Sequence, residues 1–202
     1  SSTSRGLGDV YKRQIQVSWT APAANGDPIG GYTLLVKQGG SVVNTIAVGA
    51  GTTRQAVTLP TSTTEYSFAV AASNKAGLGA YSPDSAPRRA FTAPDAPSSV
   101  QATPGNNTVT VTYQKGATNG ANANEVRYQY SVNNAAWRSD WDGTTIGNGQ
   151  VNNNGAYSIR VRASTTLDGT TYDSAASAQS NQVEPYGPCL LYTSPSPRDV
   201  EE

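Results

Sequence analysis

"YSFAVAAS" (Tyr66–Ser73) and "YSIRVRAS" (Tyr157–Ser164) decide the fold. They stand 91 positions apart, and both open on Tyr-Ser and close on Ala-Ser. Upstream, "IQVSWT" (Ile15–Thr20) answers to "VTVTYQ" (Val109–Gln114), and "YTLLV" (Tyr32–Val36) to "VRYQY" (Val126–Tyr130), both at an offset of 94. A repeat of about 90 residues means two copies of one domain, since solenoid units are only about 20–50 residues long.

Each matched stretch alternates apolar and polar residues, the period of a half-buried strand. Ile15, Val17 and Trp19 share one face, as do Tyr32, Leu34 and Val36. In the second copy Val126, Tyr128, Tyr130 and Val132 share a face, and so do Tyr157, Ile159, Val161 and Ala163. Turn-forming clusters separate these runs: "NGDP" at Asn25, "KQGG" at Lys37, "NKAG" at Asn74, and "DGTT" at Asp142 and Asp168. Short strands at this spacing, with no helical periodicity between them, predict an all-β chain of two consecutive immunoglobulin-like β-sandwiches.

The ordered set resembles two tandem fibronectin type III domains. In the first copy the resemblance rests on Trp19, on Tyr32 opening the next strand, on Leu59 before a corner, on Tyr66, and on "SNKAGLGAYS" from Ser73. In the second, Tyr113 stands where Trp is usual and Val151 where Leu is, and Tyr157 is the corner tyrosine. The resemblance implies a structural core that includes Trp19, Tyr32, Leu59, Tyr66, Tyr113, Tyr128 and Tyr157. It implies that Trp19 and Tyr113 lie between their sheets and that Tyr66 hydrogen-bonds back across its corner. "APDAPS" (Ala93–Ser98) is the joint, its prolines unable to continue a helix or a central strand. The expected domains are 15–94 and 95–188. "PYGP" at Pro185 suggests a further repeat beyond.

The ends are of another kind. "SRGLGDVYKRQ" (Ser4–Gln14) and "CLLYTSPSPRD" (Cys189–Asp199) can be encoded by opposite strands of one DNA element. That element resembles a transposon-end sequencing adapter, so residues 1–14 and 189–202 are expected to be adapter-derived and are set aside from fold reasoning. On that reading, the first domain lacks its native first strand, whose counterpart in the second copy is "SSVQAT" (Ser98–Thr103).

Composition excludes much chemistry. The chain has fourteen basic and fourteen acidic residues, no His, and one Cys, which lies in the set-aside end. Neutral charge without cationic clusters argues against nucleic acid as a partner. Without His or a usable Cys there is no Ser-His or Cys-His nucleophile system and no zinc set of the usual kind. No apolar run is long enough to cross a membrane. Asp140 and Asp142 in "SDWDGTT" hint at a calcium loop, but the third ligand and closing Glu are missing, and a turn is the expected role. "NNT" at Asn106 fits a glycosylation acceptor. Neither catalytic residues nor cofactors nor metals are expected.

Trp137 and Trp141, four apart, would point the same way on a regular strand and could stack on sugar rings. Arg127, Arg160 and Arg162 should lie on the outward face, and arginine packing on indole is the more economical role. These five residues are where a protein or carbohydrate partner is expected, if the fragment binds one. The resemblance implies a non-catalytic structural or adhesive spacer in an extracellular or cell-surface protein of bacterial type, neighboured by repeats of its own chain. The alternative is an accessory module of a secreted polysaccharide-degrading enzyme.

Overall fold

The computed structural model describes residues 13–147 and 149–188. The expectations for residues 1–12 and 189–202 lie outside the described residues. Twelve strands form among the latter. In chain order, the first six are β1 (Gln14–Ser18), β2 (Gly31–Gln38), β3 (Ser41–Gly49), β4 (Arg54–Thr58), β5 (Tyr66–Asn74) and β6 (Gly77–Leu78). The next six are β7 (Ser98–Gly105), β8 (Thr108–Gln114), β9 (Val126–Val132), β10 (Thr145–Ile146), β11 (Ile159–Leu167) and β12 (Thr170–Asp173). They build four sheets, ordered β1-β4, β3-β2-β5-β6, β10-β8-β7 and β12-β11-β9. The fold is an all-β, immunoglobulin-like arrangement of sandwiches.

The chain divides into two compact units. One holds the described residues through Asp95 together with Gly116–Arg127 and Ala163–Ser174; the other holds Ala96–Lys115, Tyr128–Arg162 and the described residues from Ala175.

Alternation produces the first core. In β2, Tyr32, Leu34 and Val36 turn inward, with Leu34 and Val36 fully buried. They meet Val17, Val48, Val57, Leu59, Tyr66 and Phe68. The Tyr66 hydroxyl donates to the Pro60 carbonyl at 3.2 Å, six residues back. Gly39 and Gly40, both at positive φ, close the β2–β3 hairpin, where a two-residue turn requires that conformation. Asp168 and Gly169 do the same between β11 and β12.

The second core gathers Val100, Ala102, Val109, Val111, Tyr130, Ile146, Val151, Ile159, Val161 and Val183. Tyr113, Tyr128 and Tyr157 are half-buried against it. The Tyr157 hydroxyl accepts from the Asn152 N–H at 3.0 Å, whereas Tyr66 donates.

Two expected core residues are less enclosed than the resemblance implied. Trp19 is half-buried, its ring edge-on to Tyr32 at 5.3 Å. The cause is local: an open groove of about 420 Å³ lies along β1 and reaches Trp19. Tyr113 is half-buried too, flanked by Tyr128 at 5.2 Å and Trp141 at 5.7 Å. Burial beside Tyr128 pushes the Tyr113 phenol up to about 12.

One structural device has no counterpart in the strand reading. After β6, the chain returns along β5 with a period of three. The N–H groups of Ser82, Ser85 and Arg88 donate to the carbonyls of Val70, Phe68 and Tyr66. In the second unit, Ser177, Ser180 and Val183 donate to Val161, Ile159 and Tyr157, and Val183 and Arg88 each also accept in return. Three residues here span two of the facing strand, so each step carries one extra residue, as in a bulge. The strand's N–H groups would then lack backbone acceptors. Serine hydroxyls take them: Val70 donates to Ser82 Oγ, Phe68 to Ser85, Val161 to Ser177, and Ile159 to Ser180.

Candidate functional site

The surface singled out by sequence is built on β9, β11 and the segment after β9. On β11, Ile159, Val161 and Ala163 point into the core, so Arg160 and Arg162 are turned to the other face. The Arg162 guanidinium lies over the Trp137 ring at 4.7 Å, and its Nε donates to Gln129 Oε1 at 2.7 Å. Arg160 is half-buried, and its Nε is enclosed without a hydrogen-bond partner among the described residues. Arg127 lies in the other compact unit, exposed, with Nη1 donating to the Asn124 carbonyl at 2.6 Å.

Trp137 and Trp141 do not form a pair, which corrects the expectation that they point the same way. Trp141 packs against the second core, 5.4 Å from Tyr130 and 5.7 Å from Tyr113. Trp137 sits under Arg162 instead. The physical reason is that the chain leaves regular strand geometry after Val132. Asn133 and Asn134 both take positive φ, and only an isolated bridge, Tyr130 to Arg138, follows. A spacing of four fixes a common face only on a continuous strand.

The acidic pair is also divided. Asp140 holds Arg138 through two contacts, 3.0 and 2.6 Å. Asp142 Oδ1 accepts from the N–H groups of Thr144 and Thr145, both at 2.7 Å, and Gly143 takes positive φ. These backbone bonds hold the Asp142 carboxyl below its usual range. Asp142 thus caps a turn. Asn106 of "NNT" is exposed in the β7–β8 turn, and its Oδ1 accepts from Asn107 and Asn153.

A cluster missed by sequence reasoning lies in the first unit. Arg89 and Glu125 form a two-pronged ion pair, 2.8 and 2.9 Å. Glu125 also accepts from the Asn122 N–H at 2.7 Å. The bond from Arg89 and that from Asn122 hold the Glu125 carboxyl down to about 2. Beside it, Asn119 Nδ2 donates to the Ala93 carbonyl and to Asp95 Oδ1, and Phe91 meets Tyr172 edge-on at 5.2 Å. Gly120, at positive φ, has the Ala90 carbonyl so close that a Cβ would strike it. The residues are 36 apart in sequence, so no local pattern announces the pair.

Two outcomes follow. The depressed Glu125 value means the pair stabilises the fold above the ordinary carboxylate range, near pH 5. That contribution disappears as pH falls from there towards 2. Solvent reaches both partners, so it amounts to no more than about 1 kcal/mol. Glu125→Gln should flatten that part of the stability–pH curve; an unchanged curve counts against the pair. Separately, Arg162→Ala should alter tryptophan emission while costing about 0.5–1 kcal/mol. Identical emission spectra would show that the guanidinium does not cover Trp137 in solution.

Fold and site together define an immunoglobulin-like β-sandwich protein. The family model described as fibronectin type III domain matches residues 7–88, and a fibronectin type III domain is present there. Such domains are common non-catalytic structural and adhesion modules, typically of extracellular or surface proteins. Comparison with curated proteins finds no match. Among solved structures, the chain is similar to the crystal structure of chicken CNTN1 FN1-FN3 domains, with a TM-score of 0.45 and 19% identity. The similarity covers 90% of this chain and 64% of that one, so this chain spans less than two thirds of it. Among the described residues, no helix is long and apolar enough to cross a membrane.

Proposed function

We propose that this chain is a spacer and adhesive module of a larger extracellular or surface protein, bacterial in type, in which residues 15–94 and 95–188 are successive fibronectin type III domains. The observation that carries the reading is how the charged groups of the candidate surface are employed. Arg162 is stacked on Trp137 and bonded to Gln129, and Asp140 is bound to Arg138. These are the contacts of a surface that braces a sandwich. A sugar-stacking site needs an open aromatic face, and the guanidinium occupies that of Trp137.

A spacer resists extension, and single-molecule pulling reads this directly. The full chain held by its ends should show two separate unfolding events. Extension without resistance would sink the proposal. Affinity electrophoresis through gels containing soluble polysaccharides supplies the competing outcome. Retardation that disappears in Trp137→Ala would favour the enzyme-accessory role instead.

A further inference from the structure

The two repeats differ at one sheet edge. In the second, β8 is flanked on both sides, by β10 and by β7. In the first, the corresponding strand β1 pairs with β4 alone among the described residues. The Trp19 N–H donates to the Thr53 carbonyl, and the Arg13 carbonyl accepts from Leu59. Odd-numbered residues of β1 therefore direct their backbone groups to β4, and Gln16 and Ser18 direct theirs to the opposite edge.

The second repeat shows what fits such an edge. At the offset of 94, Gln16 and Ser18 stand where Thr110 and Thr112 stand. Thr110 pairs with Thr103 of β7, and Thr112 with Gln101, in antiparallel register. Between these contacts β7 turns Val100 and Ala102 into the core, where both are buried. Beside β1 the equivalent space is the open groove, lined by Ile15, Val17, Trp19, Phe68 and Val70 on its apolar side.

We propose that the edge of β1 accepts an extended segment from another chain, one with small apolar residues at alternate positions, added antiparallel. Backbone bonds at Gln16 and Ser18 would hold it, and two inward side chains, in the places of Val100 and Ala102, would fill the groove. An edge unpaired among the described residues, beside an apolar floor, is what such a strand recognises. Another edge strand, β3, carries exposed apolar Val42 and Val43.

The test is amide hydrogen exchange by NMR on the full chain, with a synthetic peptide of residues 96–105, APSSVQATPG, added in excess. Exchange at Gln16 and Ser18 should slow about tenfold or more, while Ile15 and Val17, already bonded to β4, change little. Thr110 and Thr112 should keep their protection, showing that β7 has not been displaced. The same peptide carrying Val100→Asp and Ala102→Asp should have no effect. The proposal is overturned by unchanged exchange at Gln16 and Ser18, or by equal slowing with the Asp peptide. Slow exchange at both residues before any peptide is added, which means an edge already covered, also overturns it.

Discussion

Replacing Ser177 and Ser180 together by alanine should lower unfolding free energy by about 2–6 kcal/mol, since leaving one buried donor unsatisfied costs about 1–3 kcal/mol. Both serines are buried, and their hydroxyls accept the N–H groups of Val161 and Ile159 at 3.0 and 2.9 Å. Each hydroxyl also donates onward at 2.7 Å, to Ala178 and Asn181, so it is fixed in orientation. Alanine conserves the backbone path but leaves two core-strand N–H groups without acceptors. Threonine, which keeps the hydroxyl, should cost much less at either position. The serines of the first unit provide the contrast. The Val70 bond to Ser82 is exposed, so Ser82→Ala should have a smaller effect. Urea denaturation followed by tryptophan fluorescence reads these variants, with Ser177→Ala alone among them. Equal losses for Ser82→Ala and Ser177→Ala would show that burial of the donor is not what sets the cost.

Tyr130→Ala is expected to cost about 3–5 kcal/mol, the range for removing a large buried aromatic ring. Tyr130 is 2% exposed, at the centre of the second core, and its ring meets Trp141 at 5.4 Å. Burial, then nearby Asp140, raises its phenol, so it stays neutral and its hydroxyl remains a donor or acceptor near Arg138. Tyr130→Phe separates ring from hydroxyl and should retain most of the stability. The same truncation at Trp19 should cost less than at Tyr130, although indole is larger, because Trp19 is only half-buried beside the groove. Denaturant midpoints of the two alanine variants decide the order. A greater loss at Trp19 would mean that its ring is enclosed in solution.

Particular residues show how much was legible. The alternation of Val126, Tyr128, Tyr130 and Val132 was enough to place β9 with that face inward. "QGG" and "DG" were enough to place the turns, because only residues tolerant of positive φ fit a two-residue hairpin. The serine ladder was also written in the chain, as Ser82 and Ser85 and again as Ser174, Ser177 and Ser180. It went unread because a period of three belongs to neither a regular strand nor a helix. Of the candidate surface, the outward turn of Arg160 and Arg162 followed from period two, but the separation of Trp137 from Trp141 did not. Two asparagines at positive φ break the strand between Val132 and Trp137, and a spacing rule does not survive such a break.

The sequence by itself determined the strands, their inward faces and the turns, since each depends on neighbours within a few residues. Tertiary structure alone decided that Arg162 covers Trp137, that Arg89 finds Glu125, and that Trp19 borders an open groove. Each of these depends on which distant backbone comes alongside, and side-chain burial and pairing are set by that approach rather than by local pattern.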